Sequence, residues 1–213
     1  MTEPVDRLQR GPNDAERRLL IAIARRLPPA IGSDHLSVLA LVAMFATGAG
    51  FAAMRLSPWG AAVVAAGLAV NWFGDSLDGT LARVRVHERP RFGYYVDHAI
   101  DLAGTVALFV GLACSDLMTP LFAVAVLAGY LLVCAEVYLA THASGVFRMS
   151  NVGIGPTELR ILLVAGTSYA AQHPVVSVPL VGAIRLFDLG GAVTVGGFAV
   201  VFAMSALRQT REL

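Results

Sequence analysis

Residues 74–83 read GDSLDGTLAR and residues 92–101 read FGYYVDHAID. These stretches decide the fold, because each places two carboxylates and their neighbours in a run that is otherwise apolar and long enough to cross a bilayer. An ionised acid deep in a membrane costs about 2.5 to 3.5 kcal/mol even on lenient insertion scales, so Asp75, Asp78, Asp97 and Asp101 require a compensating function. The spacing supplies one. Asp75, Asp78, Gly79 and Ala82 recur at three and four residues and share one helical face, and Asp97 and Asp101 are one turn apart. Hard oxygen donors of this kind suit Mg²⁺, Mn²⁺ or Ca²⁺ rather than zinc or copper. Gly79 and Ala82 leave room for a bulky anion beside the acids, and Arg83 offers a fork of donors to phosphate. A purely structural set of ion pairs is disfavoured, since Arg83 alone shares that face with the acids.

Outward from this segment the chain is membrane protein throughout. Of its 213 residues 56% are hydrophobic and 15% charged, too little polar surface to cover a water-soluble globule. Apolar runs near 35–54, 60–80, 94–114, 120–142, 157–171 and 188–207 predict six transmembrane helices. Gln172, His173 and Pro174 cut the fifth short. The 21 glycines predict close helix packing, because small residues let backbones approach where no hydrophobic force drives them together. Every basic residue is arginine. With six spans and cytoplasmic termini, fourteen arginines fall on the cytoplasmic side and only Arg55 and Arg185 on the other, which fixes the orientation by the positive-inside rule.

Ahead of the spans, residues 1–12 read as a loose tail, and Asn13 with Glu16 resembles a capping box opening a helix that runs to about Leu27. Arg17, Arg18 and Arg25 lie on a different face from Leu19, Leu20, Ile23 and Leu27. This predicts an amphipathic helix in the headgroup plane, the alternative being an ordinary surface helix. Pro28 and Pro29 end it. The polar first dozen residues contain no apolar core of a secretory signal. Cys114 and Cys134 sit in apolar runs without ligand spacing and read as filler. The expected organisation is therefore a tail and interfacial helix over 1–30, then one all-α, six-helix domain over 31–213.

The segment 75–101 resembles the signature of the CDP-alcohol phosphotransferases, D-x-x-D-G-x-x-A-R followed after about eight residues by G-x-x-x-D-x-x-x-D. Asp75, Asp78, Gly79, Ala82, Arg83, Gly93, Asp97 and Asp101 fill every fixed position. The one departure is the intervening VRVHERPRF, nine residues long, which leaves the shape of that turn open. The resemblance implies a homodimer of six-helix subunits that moves a substituted phosphate group from a CDP-alcohol to an acceptor alcohol with release of CMP, in phospholipid biosynthesis. It implies two divalent ions, Mg²⁺ or Mn²⁺, on Asp75, Asp78, Asp97 and Asp101. Asp101 is implied as general base, with Asp75, Asp78, Gly79, Ala82, Arg83 and Gly93 around the nucleotide.

His98 makes a D-H-x-x-D arrangement similar to that of the choline and ethanolamine branch and is a second candidate base. It lies about 100° around the helix from Asp97, so a packing role competes. On the acceptor side Glu136 is an acid within an apolar span, and His142, Arg148 and Arg160 follow. The two arginines suit an acceptor phosphate, although positive-inside anchoring would also explain them. The favoured donor is CDP-diacylglycerol, with a small polar acceptor; the alternative is a CDP-aminoalcohol with a lipid acceptor. A cation transporter using the same four acids is the reading from another class.

Overall fold

In the computed structural model of the chain, the described residues are 14–144, 156–179 and 182–212. Seven helices follow in order: α1 (Asp14–Arg26), α2 (Ser33–Ala53), α3 (Trp59–Val84), α4 (Pro90–Ala113), α5 (Pro120–Ser144), α6 (Pro156–Ala170) and α7 (Leu186–Glu212). Between α6 and α7 lies an addition to the expected all-helical chain, an antiparallel hairpin of β1 (Val175–Val178) and β2 (Gly182–Arg185) with Val175 opposite Arg185. Pro174 and Pro179 bracket the β-branched VVSV run, which favours a strand and prevents α6 from continuing.

Among the described residues five helices, α2, α3, α4, α5 and α7, are long and apolar enough to cross a membrane. Their outer faces carry exposed apolar side chains such as Val38, Val42 and Phe45 on α2 and Val193, Val200 and Met204 on α7, the surface a bilayer covers. The expected fifth span corresponds to α6, whose 15 residues extend about 22 Å at 1.5 Å per residue. That is shorter than a hydrocarbon core of about 30 Å.

Glycines set the spacing of the first three spans. Gly60, Gly67 and Gly74 face α2 at seven-residue intervals. A Cβ at Gly67 would lie 2.3 Å from Thr47 Oγ1, and one at Gly111 of α4 would lie 2.0 Å from the Gly48 carbonyl oxygen. No side chain fits at either place, so α2 is held in backbone contact with both α3 and α4. Phe51, Val64, Leu68, Leu108 and Leu112 fill the core beyond this contact. At the entry to α5 and α7, the Thr119 backbone N–H and hydroxyl both donate to Asp188, each at 2.6 Å. Farther along, the Tyr130 and Phe198 rings lie 6.3 Å apart. These helices therefore run parallel, and α6 with the hairpin returns the chain between them.

The N-terminal helix departs from its expected setting. Leu20 and Ala24 are buried with Leu36, Leu77 and Leu81 in a second core, joined by Ile23 and Leu27, and Glu16 accepts a bond from the Trp72 indole at 3.2 Å. Leu19, placed on the apolar face from sequence, is 53% exposed. The apolar stripe of α1 is thus turned toward α3, where the small Ala24 permits close approach. Arg17, Arg18 and Arg25 remain exposed. The Asn13 part of the expected capping box lies outside the described residues.

Candidate active site

The second core also aims the motif. Leu77 and Leu81, at 0% and 1% exposure, fasten one side of α3 to α1 and α2, which leaves Asp75, Asp78, Gly79 and Ala82 on the other side of the same helix. The turn after Arg83 is tight: Val86 adopts a left-handed φ of 56°, and Arg85 donates to the carbonyls of Leu27, Pro28 and Ile31 at 3.0, 3.0 and 2.6 Å. Arg85 thereby ties the turn to the link between α1 and α2. Of the nine-residue VRVHERPRF stretch only residues 85–89 lie outside α3 and α4. Pro90 then opens α4 at its first turn, a position where a missing N–H costs nothing, and α4 returns with Asp97 and Asp101.

The four carboxylates share one electrostatic neighbourhood around Asp101. Asp101 interacts electrostatically with Asp75, Asp97 and Asp78 and with the guanidinium of Arg160, and Asp78 interacts with Asp97 and Asp75. Two of the acids are held by named donors. Ser37 of α2 donates to Asp78 Oδ2 at 2.6 Å, while Ser33 donates to the Asp78 carbonyl at 2.9 Å. Asp75 Oδ2 accepts Arg160 Nη2 of α6 at 2.6 Å. Among the described residues no three acidic, His or Cys side chains are gathered around one point in the manner of a filled metal site. Ser37 and Arg160 thus supply donors to two of the four acids. The donor set itself, four hard carboxylates from two adjacent helices, fits divalent Mg²⁺ or Mn²⁺.

Other residues singled out from the sequence take different places. A Cβ at Gly79 would have Arg83 Nη2 as its nearest neighbour, at 3.9 Å, and one at Gly93 would meet nothing within 4 Å, so both glycines border open space. Arg83 is exposed and its Nη2 lies 3.3 Å from Thr80 Oγ1. Ala82 lines a cleft of about 570 Å³ with Ser33, Asp34, His35, His87 and Arg89. The His98 ring lies between Tyr94 and Tyr138, with centroids 4.2 and 5.7 Å away, and its Nδ1 is 2.8 Å from the Tyr94 carbonyl. Glu136 is buried in α5 and His142 is exposed near its end. Arg148 lies outside the described residues. Cys114 and Cys134 are free thiols.

Three participants were missed from sequence: Ser33 and Ser37, one turn apart at the start of α2, and Asn71, whose Oδ1 accepts Arg160 Nε at 2.8 Å. A signal existed for the last, a lone amide within an apolar run. The serines carry none, since hydroxyls at a helix start read equally well as ordinary polar ends.

Fold and site together define a multi-pass membrane protein with an acidic centre built between two consecutive spans. The sequence model of the CDP-alcohol phosphatidyltransferases matches residues 34–205, and the chain belongs to this family. It is accordingly an enzyme of phospholipid biosynthesis that transfers a substituted phosphate group from a CDP-alcohol to an acceptor alcohol, releasing CMP. Among solved structures it is similar to the phosphatidylinositol phosphate synthase of Mycobacterium tuberculosis, determined with CDP-DAG bound. The TM-score is 0.61 at 22% identity, over 91% of this chain and 92% of that one. No curated protein sequence matches.

Proposed function

We propose that the donor is CDP-diacylglycerol and the acceptor a phosphorylated polyol such as an inositol or glycerol phosphate. The observation that carries this reading is Arg160, a cation drawn from α6 into the acidic centre, where its Nη2 lies 2.6 Å from Asp75. An uncharged lipid alcohol brings no anion to this guanidinium, whereas a phosphate-bearing acceptor does. The CDP-DAG in the similar mycobacterial synthase supports the donor assignment. Arg148 would join Arg160 at the acceptor phosphate, with Glu136 and His142 at the margin of the same site.

The cleft beside Ala82 and the open space at Gly79 and Gly93 suit the nucleotide, with Arg83 directed to its diphosphate. Asp75, Asp78, Asp97 and Asp101 would hold Mg²⁺ or Mn²⁺, two ions per subunit. Such ions, when bound, supply the positive charge that a diphosphate needs as its leaving group departs. Asp101 lies one turn deeper than Asp97 and keeps an exposed face, where it can take the proton of the acceptor hydroxyl as the oxygen attacks phosphorus and CMP leaves. His98, between Tyr94 and Tyr138, would assist as a base or hold the local packing.

This reading places the site and both termini on the cytoplasmic face, in a homodimer. It treats residues 1–30 as a tail and a helix at the membrane interface whose apolar stripe rests on α3, and 31–213 as a six-span catalytic domain, with α6 as the short fifth crossing. The parallel course of α5 and α7 supports that count, because the chain must return between them. Purified protein given CDP-diacylglycerol and a panel of polyol phosphates, with lipid products read by mass spectrometry, tests the assignment. Products formed only from a CDP-aminoalcohol and diacylglycerol would overturn it.

A further inference from the structure

We infer that Asn71 is a positioning residue for Arg160, an amide that fixes the guanidinium beside the acidic centre independently of Asp75. This rests on the reading of Arg160 as the anion contact for the acceptor. Asn71 stands one turn before Asp75 on the motif face of α3 and is 3% exposed. A buried amide is expensive unless its polar atoms are engaged. Its Nδ2 donates to the Ala40 carbonyl of α2 at 3.1 Å, and its Oδ1 accepts Arg160 Nε at 2.8 Å.

The first bond decides the second. With the amide flipped, its oxygen would face the Ala40 carbonyl and its NH₂ would face a guanidinium that has no acceptor, so both contacts would become repulsive. The α2 backbone therefore selects the atom that Asn71 presents to Arg160. Arg160 in turn divides its donors, giving Nε to Asn71 and Nη2 to Asp75. Because the guanidinium is a rigid planar fork, one anchored edge fixes the direction of the rest. Asp75 can then turn away to a metal ion while Arg160 stays in place. A neutral amide suits this position, since a carboxylate there would add a further negative charge beside four aspartates and oppose an incoming phosphate.

The test uses the full chain in lipid nanodiscs with Mg²⁺, with inorganic phosphate as the probe and CMP as a control ligand. Arg160→Ala is expected to raise the phosphate Kd at least tenfold and Asn71→Leu about tenfold, the size of one lost bond to a charged group. CMP affinity should stay within about twofold in Asn71→Leu, and the double variant should bind phosphate no more weakly than Arg160→Ala alone. In metal-free protein the two substitutions should also be non-additive in their effect on the melting temperature. Should Leu not be accommodated, Asn71→Ala replaces it throughout.

A phosphate Kd unchanged in Asn71→Leu but raised in Arg160→Ala overturns the inference and leaves the acceptor reading standing. Additive effects in the double variant, or an equal loss of CMP affinity, overturn it as well. A phosphate Kd unchanged in Arg160→Ala, or a wild-type protein that binds no phosphate, removes the acceptor reading and this inference together.

Discussion

Ser37 of α2 donates its hydroxyl to Asp78 of α3 at 2.6 Å, across 41 residues of sequence. The bond joins the first span to the second at the acidic centre and fixes one oxygen of a carboxylate that is proposed to bind metal. Outer partners of this type orient the inner donors, and their loss costs about tenfold to a hundredfold in metal affinity. Ser37→Ala should weaken Mg²⁺ binding about tenfold with the fold intact, as read by metal titration of the purified protein. Unaltered Mg²⁺ affinity would detach Ser37 from the site.

Asp75→Ala and Asp78→Ala should each weaken divalent-metal and CDP-alcohol binding together, because the metal is proposed to carry the diphosphate. Paired titrations with Mn²⁺ and with CDP-diacylglycerol check this. Loss of one affinity without the other would break the shared-site assignment.

Asp101→Asn keeps the shape of the side chain and removes the base. Turnover should fall by a factor of about 100 to 10,000, the usual contribution of a positioned proton acceptor, while binding of the CDP-alcohol changes little. Turnover near that of the wild type would transfer the role elsewhere, with His98 the next candidate.

Acceptor kinetics separate the two donor readings. Arg160→Ala should raise the acceptor KM about tenfold to a hundredfold, as expected for a lost charge-assisted phosphate contact, and Glu136→Gln should have the smaller effect. If the acceptor is an uncharged lipid alcohol the order reverses, with Glu136→Gln damaging and both Arg148→Ala and Arg160→Ala nearly silent.

Val86 is a β-branched residue held at φ 56° and 85% exposed, so its side chain gains nothing to offset a left-handed backbone that costs about 1 to 2 kcal/mol. Val86→Asn, which tolerates this conformation, should stabilise the protein by about 1 kcal/mol. Thermal unfolding in detergent would show a raised midpoint; a lowered one would mean that the valine makes a contact the turn needs.

Much of this protein is set by sequence alone. Apolar length fixed α2, α3, α4, α5 and α7 to within a few residues, because a bilayer demands continuous hydrophobicity and the demand is local. The four aspartates stand out as candidates for the same reason: an ionisable group in an apolar run is costly, and its spacing on one helix face follows from 3.6 residues per turn. What tertiary structure decided are relations between segments distant in the chain. Arg160 reads from sequence as a contact for an acceptor phosphate, with membrane anchoring as the alternative, and only the packing of α6 against α3 brings it to Asp75 and Asn71. Ser37 meets Asp78 because glycines such as Gly67 and Gly74 let α2 and α3 touch backbone to backbone. The apolar stripe of α1 is visible in the sequence, yet whether it meets lipid or protein depends on the surface that α3 offers it. Periodicity reports which face of a helix is apolar, and only the assembled fold supplies what that face rests against.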